Sequence, residues 1–230
     1  MSFPTIFDWL ERLAFLQGMP AAAVIVAAGA ILTVLWDWRV TIFALLLQYL
    51  ASSFLYVEVL EPRLAIVKLF VGVFICLILY FTARQTAWGQ APADLSEAET
   101  AQLQEERRVG FGQYLTPASV PFRFLFALLV VVVLVSLSGR PGYQLPAVPP
   151  SLNLAIYALV GFGVVNAGLT AEPLRRGTGL LLILSGAELF YNTLEQSIVM
   201  LAVLAGANLM VALAVSYLTQ LQLALPVASD

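Results

Sequence analysis

The stretch GTGLLLILSGAELFYNTLEQS, Gly177 to Ser197, places an acid, Glu188, near the middle of an apolar run. A charge at bilayer depth costs roughly 2.5 to 3.5 kcal/mol, so such residues face a protein interior or a water path. At about 100° per residue, a helix brings the polar residues of the run within an arc of about 100°. They are Thr178, Ser185, Glu188, Asn192 and Glu195. The stretch therefore predicts a helix with a polar seam. Ser185 and Asn192 are near enough to be local hydrogen-bonding partners of the Glu188 carboxyl.

The composition of the whole chain is that of an integral membrane protein. Hydrophobic residues make up 61% of the 230 residues and charged residues only 11%, against about 25% charged in soluble domains. The mean hydropathy is +0.92. The chain is therefore expected to form an all-α, polytopic transmembrane helix bundle. Seven runs are long enough to cross about 30 Å of hydrocarbon, and they are residues 20–36, 40–58, 64–83, 121–137, 152–170, 177–194 and 197–218.

The residue types that carry most enzyme and cofactor chemistry are scarce. The chain has no histidine, and Cys76 is its only cysteine, so neither a haem, zinc or copper site nor an intramolecular disulfide is expected. We expect no metal and no cofactor. A phosphate loop and a nucleophile elbow are also missing, which disfavours enzyme activity in the chain itself. The net charge of −3 and the lack of a basic cluster disfavour a nucleic-acid partner.

The basic residues predict the orientation of the bundle. Arg12, Arg63 and Arg140 fall on one side of the predicted spans, and Lys68 lies within a span. The other side has more than twice as many: Arg39, Arg84, Arg107, Arg108, Arg123, Arg175 and Arg176. The positive-inside rule places this second side in the cytoplasm, with the N-terminus outside and the C-terminus inside.

Five segments follow from these spans. Residues 1–19 are expected to form an interfacial amphipathic helix, because Phe3 to Gln17 has an apolar face and lacks the features of a signal peptide. Residues 20–83 form a three-span half, and residues 121–222 a four-span half. Between them, residues 84–120 form a cytoplasmic loop with a short helix, for which Ser96 and Glu99 have capping-box spacing. Residues 223–230 are a C-terminal tail.

Other polar groups at depth offer partners for the seam. The second and third spans should form a hairpin that turns near Glu61 and Pro62, which brings Glu58 and Lys68 to comparable depth. An ion pair between them is expected, or else Lys68 extends its stem to the interface. Gln48 lies nine residues beyond Arg39, roughly 13 Å along a helix and so near mid-membrane. Asn208 in the last span is the nearest residue to face the seam, since the turn near Glu195 makes the last two spans antiparallel.

Small residues in two of the spans predict close helix packing. They are Gly161, Gly163, Ala167 and Gly168 in the fifth span and Gly206 in the last.

The segment GLTAEPLRRGTGLLLILSGAELFYN, Gly168 to Asn192, resembles the K subunit of respiratory NADH:quinone oxidoreductase and the C subunit of multisubunit sodium/proton antiporters. Those families have a span, a cytoplasmic loop with paired basic residues, and then a span with a membrane glutamate. Here Arg175 and Arg176 precede Glu188 by thirteen and twelve residues. The length of the chain is similar to that of component E of hydrogenase-4 and formate hydrogenlyase. That family shares the front-half series Arg39, Gln48, Lys68 and Arg84.

The resemblance implies a non-catalytic membrane subunit of a proton- or cation-translocating complex. Its partners would be the lipid bilayer and larger antiporter-like membrane subunits, and its place a prokaryotic inner membrane. Glu188, Lys68 and Glu195 are then candidates for a proton relay, and the polar axis is formed by Gln48, Ser185, Asn192 and Asn208. The related families have a second acid where this chain has Asn208, and an amide cannot carry a proton. Two alternatives stay open, namely a structural assembly subunit and a small stand-alone transporter.

Overall fold

The computed structural model describes residues 14–35, 37–85, 120–169 and 172–224, and every regular element in these ranges is helical. Seven are α-helices: α1 (Met19–Val34), α2 (Trp38–Val59), α3 (Pro62–Gln85), α4 (Val120–Ser138), α5 (Pro150–Leu169), α6 (Pro173–Leu194) and α7 (Ile198–Ala224). Two single turns of 3-10 helix lie at Ala14–Leu16 and Pro141–Tyr143. The predicted all-α class is confirmed for the described residues.

Each of the seven predicted spans coincides with one helix, and the ends differ by a few residues. Four helices, α2, α3, α5 and α7, are long and apolar enough to cross a membrane. The apolar stretches of α1 and α4 are shorter. The length of α6 is also sufficient, but its polar seam makes it less apolar than those four. The described helices therefore form a bundle that is consistent with a membrane protein.

The paired arginines Arg175 and Arg176 lie in the first turn of α6, not in the loop where the sequence pattern places them. The reason is Pro173, because a proline at the start of a helix has its φ already set and has no N–H to leave unpaired. Positive charge is unfavourable at a helix N-terminus. Glu172 offsets it, since its Oε2 lies 3.7 Å from Nε of Arg175.

Contacts between helix ends show that the chain runs up and down through the bundle. At one end, the Arg175 guanidinium donates to the carbonyl of Leu35, 2.8 Å away, and so ties the start of α6 to the end of α1. At the other end, Gln196 donates to the carbonyl of Val59. Asn153 of α5 donates to the carbonyl of Ser138 at 2.9 Å. One hydrophobic core contains residues of all seven helices, so helices α1 to α3 are packed against helices α4 to α7.

Small residues bring α5 and α6 into backbone contact. A Cβ atom added at Gly179 would meet the backbone of Ala167, and one added at Gly163 would meet the carbonyl of Gly179. Gly161 packs against Leu134 of α4. The prediction of close packing is correct for these positions.

For Gly168 and Gly206 the same prediction is wrong. A Cβ atom added at either position would meet nothing within 4 Å among the described residues. Both glycines lie on helix faces that no described helix covers.

Three predicted features fall largely outside the described residues. These are the interfacial helix of residues 1–19, the helix around Ser96 and Glu99, and the tail of residues 223–230. Of the first, residues 14–16 form a 3-10 turn.

Candidate functional site

A buried ion pair joins Lys68 of α3 to Glu188 of α6. The Lys68 ammonium donates to Oε2 of Glu188, and the two side chains are 1% and 0% exposed. The amide of Asn208, on α7, donates to the same oxygen at 2.8 Å. Three helices therefore meet at one carboxylate, and the prediction that Asn208 faces Glu188 is confirmed.

Helix length explains why the pair forms at this depth. Lys68 comes six residues after Pro62, the first residue of α3, and Glu188 comes six residues before Leu194, the last residue of α6. At 1.5 Å per residue, both lie roughly 9 Å from the same end of the bundle. Packing of α7 against both α3 and α6 then brings the two side chains together.

The structure corrects the expected partner of Lys68. Glu58 is exposed and makes no ion pair with Lys68, which is buried and does not extend to the surface. Instead, Oε2 of Glu58 accepts a hydrogen bond from Ser151 at 3.3 Å. The hairpin at Pro62 forms as predicted, but the Lys68 ammonium pairs with Glu188 of α6 and not with Glu58 of α2.

The local partners expected for the Glu188 carboxyl are also wrong. Asn192 donates to the backbone carbonyl of Glu188 at 2.8 Å, not to its carboxylate. Ser185 Oγ lies near the Tyr49 hydroxyl of α2 and makes no well-aligned hydrogen bond among the described residues. Both side chains are nevertheless buried on the same face of α6 as Glu188, so the polar seam exists. The carboxylate takes its hydrogen bonds from α3 and α7 because their donors, Lys68 and Asn208, approach it from across the bundle.

Two tyrosines that sequence reasoning missed flank the ammonium group. The Lys68 Nζ lies 5.8 Å from the ring centroid of Tyr49 and 6.0 Å from that of Tyr56, distances at which a cation is attracted to an aromatic ring. The two tyrosines are seven residues apart and so share a face of α2. Both are fully buried. Their spacing in an apolar span, at the depth of Lys68, is the signal that could have revealed them.

Unsatisfied polar atoms concentrate around the pair. Seven buried side-chain atoms make no well-aligned hydrogen bond among the described residues, although the Tyr49 hydroxyl lies near Ser185 and the Tyr56 hydroxyl near Asn192. They are Oε1 of Gln48, the hydroxyls of Tyr49, Tyr56 and Ser185, Oε1 of Glu188, and Oδ1 of Asn192 and Asn208. Leaving such an atom unpaired costs about 1 to 3 kcal/mol. The site therefore has more hydrogen-bonding capacity than its own side chains use.

Gln48 marks the inner limit of this polar cluster. It is fully buried, as predicted, and its amide donates to Ser52 at 3.0 Å within the same helix. Its position, ten residues into α2, is roughly 15 Å from the start of that helix and so near its middle. The polar side chains thus extend from the middle of the bundle to Tyr56 and Asn192, near the end where α2 and α6 finish.

Glu195 does not belong to the buried cluster. It is exposed at the end of α6 and accepts a hydrogen bond from the Tyr191 hydroxyl at 2.9 Å. Glu188 is the only buried carboxylate in the described ranges. The arginines Arg175 and Arg176 lie at the opposite end of α6, thirteen and twelve residues before Glu188.

No cluster of histidine, cysteine or acidic side chains that could hold a metal ion occurs in the part of the chain that the structure describes. Cys76 is buried and free.

No family model, curated protein or solved structure matches this chain.

The arrangement is suited to proton exchange without a change in net charge. An ammonium beside a carboxylate and an amine beside a carboxylic acid differ only in the position of one proton, and both pairs are neutral overall. Polar groups with unused hydrogen-bonding capacity lie around them, namely the hydroxyls of Tyr49 and Tyr56 and the amide oxygen of Asn208. The cluster can therefore hold a proton at a buried position and offer it hydrogen-bonded neighbours.

Proposed function

We propose that this chain is a multi-pass membrane subunit of a proton- or cation-translocating complex of the respiratory, hydrogenase or antiporter type. In this proposal all seven helices cross the membrane, with the N-terminus outside and the C-terminus in the cytoplasm. Glu188 takes up and releases protons, and Lys68 supplies the opposite charge. The observation that carries the proposal is the buried Lys68–Glu188 pair, together with the unsatisfied polar atoms around it.

The energetics of a buried ion pair favour a functional role. Removing two charges from water costs several kcal/mol per ion, and replacing such pairs with apolar residues is often neutral or stabilising. Intramembrane ionisable residues mark ion pathways for this reason. A chain that is 61% hydrophobic has ample apolar residues for packing, so packing alone does not account for this pair.

The extent of the polar cluster favours a role within a larger complex. Its side chains reach from Gln48, near mid-bundle, to the end where α2 and α6 finish. Between Asn208 and the other end of α7, the buried side chains of that helix are apolar for two turns, as at Ala212 and Val215. The next polar contact between α7 and α3 is the hydroxyl pair of Thr82 and Ser216. A complete path would therefore use polar groups of a partner subunit to cross this apolar gap.

The test is proton translocation by the intact complex. The tagged chain is isolated from its host in mild detergent, its co-purifying subunits are identified, and the complex is reconstituted in vesicles with a pH-sensitive dye. Glu188→Gln is expected to lower translocation by roughly a hundredfold, the lower end of what a positioned proton-transfer group contributes. The control Glu195→Gln, on the same helix but exposed, should keep normal translocation.

Unchanged translocation in the Glu188→Gln complex would refute the relay. Recovery of the chain as a lone monomer would refute membership of a complex.

An assembly role is the second candidate, because the Lys68–Glu188 pair joins a helix of the front half to one of the back half. The exchange Lys68→Glu with Glu188→Lys separates the two functions. An assembly role requires only the pair, so the exchanged complex should assemble and work normally. A relay depends on which side chain faces Asn208 and Tyr49, so the exchanged complex should assemble but lose translocation.

A further inference from the structure

A pocket of about 490 Å³ opens between α2 and α3, at the end of the bundle opposite to the Lys68–Glu188 pair. Its mouth is formed by Trp38 and Arg39 at the start of α2 and by Arg84 at the end of α3. Its deeper wall is lined by Ile42, Phe43, Leu46 and Tyr80. The pocket thus has a cationic mouth and an apolar wall that extends two turns toward the middle of α2.

Both guanidinium groups at the mouth are exposed and make no ion pair within the described ranges. The Arg39 guanidinium lies 5.3 Å from the centre of the Trp38 ring, which holds it at the edge of the pocket. The nearest acid along the chain is Asp37, whose Oδ1 accepts from the backbone N–H of Arg39 at 2.9 Å to cap α2. The two arginines therefore present a net positive charge.

The aromatic residues beside this mouth are of the kinds that favour the level of lipid headgroups. The rings of Trp38 and Tyr80 contact each other, with centroids 5.7 Å apart. Tryptophan and tyrosine prefer the membrane–water boundary, where a ring can be apolar on one side and hydrated on the other. Phe43 lies about one turn deeper and is 64% exposed, so an acyl chain can reach it along the helix surface.

We infer that this pocket binds the headgroup of an anionic phospholipid. The two guanidinium groups match a phosphate, to which arginine can donate two parallel hydrogen bonds. Basic pockets between transmembrane helices on the cytoplasmic side bind such headgroups. The apolar wall below the arginines fits the first part of an acyl chain, which a free phosphate lacks. The inference requires that α2 and α3 cross a membrane, and it is independent of the proton relay.

The test is native mass spectrometry of the purified full chain in mild detergent, titrated with dioleoyl phosphatidylglycerol or dioleoyl phosphatidylcholine. Phosphatidylglycerol is expected to fill one site more tightly than phosphatidylcholine. The double variant Arg39→Gln with Arg84→Gln should weaken that site about 25-fold, or roughly fivefold per arginine. The matched control, Arg63→Gln with Arg140→Gln, has the same net charge but changes exposed arginines at the other end of the bundle. It should leave the site unchanged.

Further arms separate the possible results. If the control weakens phosphatidylglycerol binding as much as the Arg39 and Arg84 variant does, the attraction is non-specific charge and the inference fails. If inorganic phosphate alone displaces phosphatidylglycerol, the site takes a free anion and the lipid assignment fails. If the glutamine variant does not fold, the double variant Arg39→Lys with Arg84→Lys replaces it. Lysine keeps the charge but cannot donate the paired hydrogen bonds, so this variant should bind phosphatidylglycerol more weakly than the native chain. The lipid titration does not measure proton transport, so a negative result for lipid binding leaves the proposed proton relay untouched.

Discussion

Glu188 has two carboxylate oxygens in very different surroundings. Oε2 accepts hydrogen bonds from both Lys68 and Asn208, whereas Oε1 has no partner among the described residues. The carboxylate is therefore held in place through Oε2, while Oε1 stays able to accept a hydrogen bond or a proton. The Asn208 amide, on α7, donates to Oε2 and so helps to fix the position of Glu188.

A double-mutant cycle measures how strongly Lys68 and Glu188 depend on each other. Lys68→Met should lower the free energy of unfolding by roughly 3 to 5 kcal/mol, because it leaves a buried carboxylate without its counter-charge. Glu188→Gln should also destabilise the chain, since it leaves a buried ammonium. The double variant should lose much less than the sum of the two. Denaturant unfolding in detergent provides the values, and strictly additive losses would contradict a direct coupling.

Most polar members of the site were predictable from the sequence, but the flanking tyrosines and the pairing of Lys68 with Glu188 were not predicted. Glu188, Lys68, Asn208 and Gln48 stand out because each is polar in an apolar span. Their pairing depends on which helices are neighbours, and periodicity within one helix contains no information about that. Depth is the exception, since Lys68 and Glu188 are both six residues from the same end of the bundle. That equality could have suggested the pair.

At the scale of the helix, the contact between α5 and α6 is the closest in the bundle. Gly163, Ala167 and Gly179 allow the two backbones to touch, which is how transmembrane helices gain packing energy when lipid and core are equally apolar. This contact also sets the position of α6, and therefore of Glu188. A substitution that pushes α5 and α6 apart at Gly179 should therefore shift Glu188, which lies nine residues further along α6.

Gly179→Ala is expected to destabilise the chain by about 1 to 3 kcal/mol, because the added methyl group would overlap the backbone of Ala167. Backbone atoms cannot rotate away as a side chain would. Gly206→Ala is the matched control, a glycine inside α7 with nothing within 4 Å of the added carbon. It should leave stability unchanged or raise it slightly, since alanine favours helix more than glycine does. Thermal unfolding of both variants makes the comparison, and equal losses would argue against the close α5–α6 contact.

At the scale of the whole molecule, the sequence predicts seven helices but not how they are arranged. Most of these helices have apolar residues on every side, so their pattern does not indicate which face is buried. In α4, for example, Phe124 and Leu128 are exposed whereas Ala127 is buried. In water, exposing these large apolar side chains would be unfavourable, but lipid is as apolar as a protein core and solvates them equally well. The arrangement is decided by small residues and by the few polar pairs, whose partners lie far along the chain.

The orientation of the bundle can be tested with single cysteines. Because Cys76 is the only cysteine and is buried, Cys76→Ala provides a background that reacts with no thiol reagent. Arg140→Cys, between α4 and α5, should react with a membrane-impermeant maleimide in intact cells. Arg176→Cys, in the first turn of α6, should react only after the cells are permeabilised, because the positive-inside rule predicts that the side with seven arginines is cytoplasmic. If only Arg176→Cys reacts in intact cells, the bundle has the opposite orientation. Equal labelling of both positions in intact cells would mean that α5 does not cross the membrane.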